Sequence, residues 1–173
     1  GTGASVGKLT GFEHAMKSGA GYAEIILPDG LAVGTYMAVN ACGEIYDQDK
    51  ILAGALADDD RTIISSHRLM LEGYERNMGG NTSIGCIITN ADLTKTECRM
   101  VSTMAHDGLA RSIRPVHTSM DGDTLFTMAS GEVKTTIDTV GYLAEEAVRL
   151  AVLDAAASAE GMGGRPAYRD IIK

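Results

Sequence analysis

Residues 136–159, TIDTVGYLAEEAVRLAVLDAAASA, carry Val140, Leu143, Ala144, Ala147, Leu150 and Ala151 on one stripe at helical spacing. A helix with a single apolar stripe must bury it against another layer, so this segment forces a layered fold. The residues ahead of it supply the layer. TSIGCIITNA, 82–91, is a mostly continuous apolar run, the pattern of a strand covered on both faces. DGDTLFTMASG, 121–131, reads as a second strand entered through two aspartates. Between them, residues 92–113 space Leu93, Met100, Val101, Met104, Ala105 and Leu109 at helical intervals, behind a Thr94-x-x-Glu97 pair able to form a capping box. The second half is therefore β-α-β-α.

The first half adds strands. YAEIIL, 22–27, is followed by the turn chemistry of PDG and then by LAVGTYMAVNA, 31–41, so 22–46 reads as a hairpin or meander. DQDK and ADDDR, which bracket an Ala-Gly-rich piece, read as solvated loop, and 62–80 reads as a linker holding a short helix. The whole, β-β, linker, β-α-β-α, is one domain of the α/β class with an α+β layered arrangement.

Composition removes several functional classes. A 173-residue chain with 45% hydrophobic content is long enough for a core, and its 22% charged residues indicate no disorder. No apolar stretch approaches the ~18 residues of a spanning helix, so no membrane role is expected. With a net charge of −8 and no basic cluster, nucleic acid is not an expected partner. Cys42, Cys86 and Cys98 lack Cys-x-x-Cys spacing, which argues against a disulfide framework or zinc knuckle, and Cys86 reads as a small core residue. With no signal peptide, a cytosolic location is the expectation.

Familiar motifs mostly fail on inspection. GTGASVGK has Thr2 where a phosphate loop needs glycine, and Leu9 follows Lys8 where Ser or Thr is required. Asn81-Thr82-Ser83 matches a glycosylation sequon but opens a strand. His14, His67, His106 and His117 have no metal spacing, His106 and His117 read as ordinary helix-end or loop residues, and no Gly-x-Ser-x-Gly elbow occurs. No metal or cofactor is called for. Two features remain. Asp121-Gly122-Asp123 sets two carboxylates two residues apart at a strand entry, where both point the same way. Residues 79–83, GGNTS, loosen the chain with glycine and place a hydroxyl just before a strand.

Several blocks, in order and spacing, resemble the DmpA-type peptidases, the L-aminopeptidase/D-esterase family: GTGASVGK, YMAVNACG, NTSIGCIITNADLTKTE, MAHDGLARSIRPVHT and DGDTLFTMASGE. The threonine with paired aspartates is most similar to the NylC-type nylon-oligomer hydrolases. The resemblance implies an α/β/β/α sandwich similar to Ntn hydrolases, and self-cleavage between Asn81 and Thr82. Residues 1–81 would end one subunit, and 82–173 would form a second that begins at the nucleophile Thr82. It further implies that Asn40 helps form the oxyanion hole, that Asp121 and Asp123 are the acidic pair, and that Lys8 is the active-site lysine. Homo-oligomers, often tetramers, are implied as well. Family precursors carry a further N-terminal segment of comparable length, which supplies core strands and part of the substrate pocket and is the implied partner of this chain.

The chemistry suits the residue types. A threonine hydroxyl needs an adjacent base. An α-amino group, titrating near ~7.7–8.0, becomes that base once cleavage frees it. The expected activity is hydrolysis of a small amide or peptide through an acyl-enzyme on Thr82, with 6-aminohexanoate oligomers among the possible substrates. The alternatives are an N-acyltransferase similar to ornithine acetyltransferases and an uncleaved, non-catalytic homologue.

Overall fold

The computed structural model describes residues 1–74 and 80–172. Its strands are β1 (Ser5–Val6), β2 (Met16–Lys17), β3 (Ala20–Ile26), β4 (Ala32–Ala38), β5 (Glu44–Asp47), β6 (Lys50–Ala53), β7 (Ala55–Leu56), β8 (Ile63–Ile64), β9 (Ile84–Ala91), β10 (Ile113–Arg114) and β11 (Thr124–Val133). Its α-helices are α1 (Ser66–Leu71), α2 (Lys95–Ser112), α3 (Ile137–Ala157) and α4 (Tyr168–Ile171). The central sheet has the order β11-β9-β4-β3, parallel between β11 and β9 and antiparallel elsewhere. β10-β5-β6 form a smaller sheet, and β1-β2 and β7-β8 are short antiparallel pairs.

The expected second half is present, and its local signals act as anticipated. Thr94 Oγ1 accepts from Glu97 N–H and Glu97 Oε2 accepts from Thr94 N–H, completing the capping box of α2. α3 is capped by Thr136, whose hydroxyl oxygen accepts from Thr139 N–H at 3.2 Å. The 22–46 hairpin is β3 and β4, closed by the PDG turn, where Asp29 Oδ1 accepts from Leu31 N–H at 3.0 Å. The short helix of the linker is α1, and the linker's Met78 and Gly79 lie outside the described residues.

α2 and α3 pack side by side on one face of the sheet. Val33, Met37, Ile87 and Leu125 point from the strands into Val101, Leu109, Val140, Val148 and Val152 of the helices, all buried. Small residues on α3, Ala144, Ala147, Ala151 and Ala155, let it lie close to the strands. Four positions counted among the apolar stripes depart from expectation. Met100 is exposed, and Leu93, Met104 and Leu150 are half-buried, because they lie at the edges of the packed faces.

Two expectations need correction. β9 is buried on one face only. Gly85, Ile87, Thr89 and Ala91 face the helices, whereas Ile84 and Ile88 are 48% and 53% exposed. The same open face carries Tyr22, Tyr36, Phe126 and Met128, and no layer of the described residues covers it. An apolar run cannot by itself report which of its faces finds a partner. Cys86 is accordingly half-buried on the open face and is not a core residue. DQDK and ADDDR are solvated turns as expected, and the Ala-Gly-rich piece between them places Leu52, Ala53, Ala55 and Leu56 in the buried parts of β6 and β7.

Because Ile87 is fully enclosed between sheet and helices, Ile87→Ala should lower unfolding free energy by ~2–5 kcal/mol, through lost burial plus a residual cavity. Urea denaturation, read as a midpoint shift at constant slope, measures it.

Candidate active site

The site is set by the pairing of β9 with β11. Thr124 lies opposite Ile84, and Asn81 bridges Asp121 in parallel just before the strands begin. Thr82 therefore stands beside Gly122, and Ser83 beside Asp123. Alternation along the strands turns Thr82 toward the open face, while Ser83 and Asp123 turn toward the helix layer. Gly80 has φ 95, a left-handed conformation that glycine adopts freely, and it feeds the chain into this junction.

Asn81 is 3% exposed and its carbonyl oxygen accepts two hydrogen bonds, one from Thr82 Oγ1 at 2.6 Å and one from Gly122 N–H at 2.9 Å. Thr82 N–H donates to the Asn40 carbonyl at 3.0 Å. That carbonyl also accepts from Lys8 Nζ at 3.3 Å, so the lysine and the Thr82 nitrogen meet at one oxygen. Lys8 Nζ donates to Asn40 Oδ1 at 2.8 Å, and Ser5 N–H reaches the same atom at 3.2 Å. Both partners are donors only, so the side-chain oxygen must face them, and the Asn40 amide NH2 is left as the end that can meet a substrate oxygen.

Lys8 is 4% exposed. Burial pushes its pKa down to about 8, while the negative charges of Asp121 and Asp123 pull the other way. A buried amine in that range carries or accepts a proton near neutral pH. Burial, with Asp121 adding to it, raises the neighbouring Cys42 thiol to about 11, so it stays protonated and is no rival nucleophile.

The two aspartates are both in place, and their partners are backbone N–H groups and the Thr118 hydroxyl. Asp121 Oδ2 accepts from Thr118 N–H and hydroxyl at 3.1 and 2.7 Å, and Oδ1 from Cys42 N–H at 3.4 Å. Asp123 Oδ1 accepts from Ser83 N–H at 2.7 Å, and its other oxygen is buried with no hydrogen-bond partner among the described residues. Burial raises the Asp123 carboxyl above its ordinary range, with Ser83 N–H opposing. In this intact chain the pair fixes the loops on either side of Thr82.

All five residues singled out in the sequence, Lys8, Asn40, Thr82, Asp121 and Asp123, thus converge from four separate segments. One feature was missed. His106 on α2 and His117 on the loop before β11 are paired, Nδ1 to Nε2, at 3.1 Å. They line an open cavity of about 460 Å³ with Arg99, Ser102, Thr103 and Asp123. His117 has φ 54, rare for a residue with a side chain, and burial together with His117 lowers the His106 pKa. Eleven residues of helix and loop separate the two rings, a spacing with no motif to find it by. A second groove, about 430 Å³ and mostly apolar, lies on the open sheet face around Tyr22, Tyr36, Ile88 and Met128, away from Thr82.

The fold is that of the Ntn-hydrolase-type aminopeptidases. The chain matches a β-aminopeptidase of Burkholderia sp. with TM-score 0.59 at 19% identity, over 91% of this chain and 48% of that one. It matches the L-aminopeptidase D-Ala-esterase/amidase of Ochrobactrum anthropi with TM-score 0.59 at 18% identity, over 90% and 46%. The chain belongs to Peptidase family S58, whose profile matches residues 1–169. An uncharacterized aminopeptidase of Mycobacterium leprae is 34% identical over 96% of this chain and 51% of its own length. The 6-aminohexanoate-oligomer endohydrolase of Kocuria sp. is 41% identical over a shorter stretch, 31% of this chain and 15% of that protein. The chain spans about half the length of the aminopeptidase relatives it matches. No helix among the described residues is long and apolar enough to cross a membrane.

Removing the Asp123 carboxylate strands the N–H of fully buried Ser83. Asp123→Ala should therefore cost ~1–3 kcal/mol of stability, whereas Asp123→Asn keeps an acceptor and should cost less. Thermal unfolding of the two variants side by side checks the difference.

Proposed function

We propose that this chain is part of a self-processing amide hydrolase that cuts itself between Asn81 and Thr82 and then uses Thr82 as an N-terminal nucleophile. The observation that carries the reading is the contact of Thr82 Oγ1 with the carbonyl of the preceding residue, at 2.6 Å, within reach of a buried lysine through Asn40. Before cutting, the α-nitrogen is an amide and cannot act as base. Lys8, with its depressed pKa, takes the hydroxyl proton in that step. After cutting, the freed Thr82 amine takes over, held at the Asn40 carbonyl, and the aspartates balance the charge around it.

In the substrate reaction Thr82 Oγ attacks an amide carbonyl, the Asn40 amide NH2 stabilises the oxyanion, and water releases the acyl group. The substrate is a small amide or peptide. The family and the aminopeptidase relatives favour an N-terminal amino-acid amide, with 6-aminohexanoate oligomers as a specific possibility raised by the shorter match. The open apolar face of the central sheet is taken up by a second β-layer from polypeptide beyond these 173 residues, which completes the α/β/β/α sandwich and walls the pocket above Thr82. Six large apolar side chains around half exposed on one sheet face support this.

Intact-mass measurement of the full-length polypeptide should find two fragments, one beginning at Thr82, and Thr82→Ala should give one uncut, inactive chain. An uncut wild-type chain with amidase activity would sink the proposal. Asn40→Ala should lower kcat by ~10²–10³.

The self-cleavage rate should rise with pH as Lys8 loses its proton and level off above about 8. Lys8→Arg, charged at every accessible pH, should stay uncut across a pH series followed by gel or mass spectrometry.

A further inference from the structure

Asp121-Gly122-Asp123 was expected to matter for its carboxylates, yet the group nearest the scissile bond is the glycine's own backbone. We infer that the Gly122 N–H is the oxyanion donor for self-cleavage, separate from Asn40, which serves the substrate. The inference rests on the self-cleavage reading above and adds a catalytic group to it.

The geometry is direct. Gly122 N–H donates to the Asn81 carbonyl oxygen at 2.9 Å, the atom on which negative charge develops when that carbonyl is attacked. Thr82 Oγ1 lies 2.6 Å from the same oxygen and also donates to it. As Oγ forms its bond to the Asn81 carbon, the hydroxyl proton leaves for a base, so the hydrogen bond from Thr82 is lost as the charge appears. The Gly122 bond survives the attack and becomes charge-assisted. The oxyanion then collapses and the Asn81–Thr82 C–N bond breaks. The Thr82 nitrogen takes up a proton, leaving an ester of Asn81 on Thr82 Oγ. Water cleaves that ester to the Asn81 carboxylate and the free hydroxyl.

Two further observations fit a dedicated donor. A Cβ on residue 122 would stand 2.8 Å from Thr82 Oγ1, so only glycine offers its N–H there without displacing the nucleophile. Each flanking aspartate is anchored, Asp121 on Thr118 and Cys42, and Asp123 on Ser83. The two carboxylates thereby hold the Gly122 peptide against Asn81. Both Asn40 oxygens are acceptors, turned to Lys8, Ser5 and the Thr82 N–H, so only its amide NH2 can donate, and that group is the one assigned above to the substrate oxygen.

The competing explanation is that this bond is merely one rung of the β9–β11 ladder. The next rung, Thr124 N–H to the Ser83 carbonyl, has the same 2.9 Å length and does not touch Asn81. It therefore serves as a control. Cell-free synthesis of the full-length polypeptide, with glycolic acid inserted at 122 by nonsense suppression, replaces the N–H by an ester oxygen and changes no side chain. The hydroxy-acid counterpart of threonine at 124 removes the neighbouring rung.

Cutting, timed by intact mass, should slow by ~10²–10³ for the ester at 122 and by less than about tenfold for the ester at 124. Equal slowing of both, or an ester at 122 that cuts at the wild-type rate, would overturn the inference and leave Thr82 as nucleophile untouched. A wild-type chain that never cuts would instead overturn the self-cleavage reading, and this inference with it.

Discussion

The parallel register of β9 against β11 is the constraint on which the site depends. It sets Asn81 beside Asp121, Thr82 beside Gly122 and Ser83 beside Asp123. A slip of one residue would exchange the faces of every side chain on the moving strand, turning Thr82 into the helix layer and Asp123 out of it. The register is held from both sides. Ile87 and Leu125 must point into the buried layer against α2 and α3, and Thr127 on β11 meets Ser102 of α2, hydroxyl to hydroxyl, at 2.7 Å. The two helices thus act on the chemistry without touching it, because their packing decides which strand residues look outward.

The same alternation explains why the site is half open. The sheet buries one face under α2 and α3, and its other face carries aromatic and long aliphatic side chains that water does not favour. Asn40 and Thr82 belong to that second face, whereas Lys8 approaches from beneath and is buried already. The residues proposed to handle the proton all lie among the described residues, whereas no layer of the described residues covers the open face.

How much of this was legible in the sequence follows from the range of each signal. Local signals read correctly: the Thr94–Glu97 capping box, the α3 stripe and the PDG turn are all decided within a few residues. Signals that depend on distant partners did not. Ile84 and Ile88 look the same in sequence whether or not a layer covers them. Lys8 and Asn40, 32 residues apart, have no local motif that joins them, and only the resemblance to a family pointed to both. His106 and His117 had neither kind of signal. The Asp-Gly-Asp motif was legible as a site, but the residue nearest the bond was the glycine, whose contribution is a backbone group that side-chain chemistry does not reveal.

The electrostatics of the proposed mechanism turn on one shared oxygen. The Asn40 carbonyl accepts from Lys8 Nζ and from the Thr82 nitrogen, so cutting the chain creates a second amine beside a lysine whose pKa burial has already lowered to about 8. Two like charges at that separation cannot both form cheaply, and each ammonium favours the neutral form of the other. Asp121 and Asp123 limit the effect, since their charges keep one proton in the pair from being lost altogether. In the proposed mechanism the two nitrogens therefore favour a single positive charge between them. That leaves one amine free as a base and one ammonium beside the oxyanion, the division of labour a hydroxyl nucleophile requires. The lysine then has a purpose on both sides of the cut, as the base for the first reaction and as the group that keeps the new N-terminus unprotonated for the second.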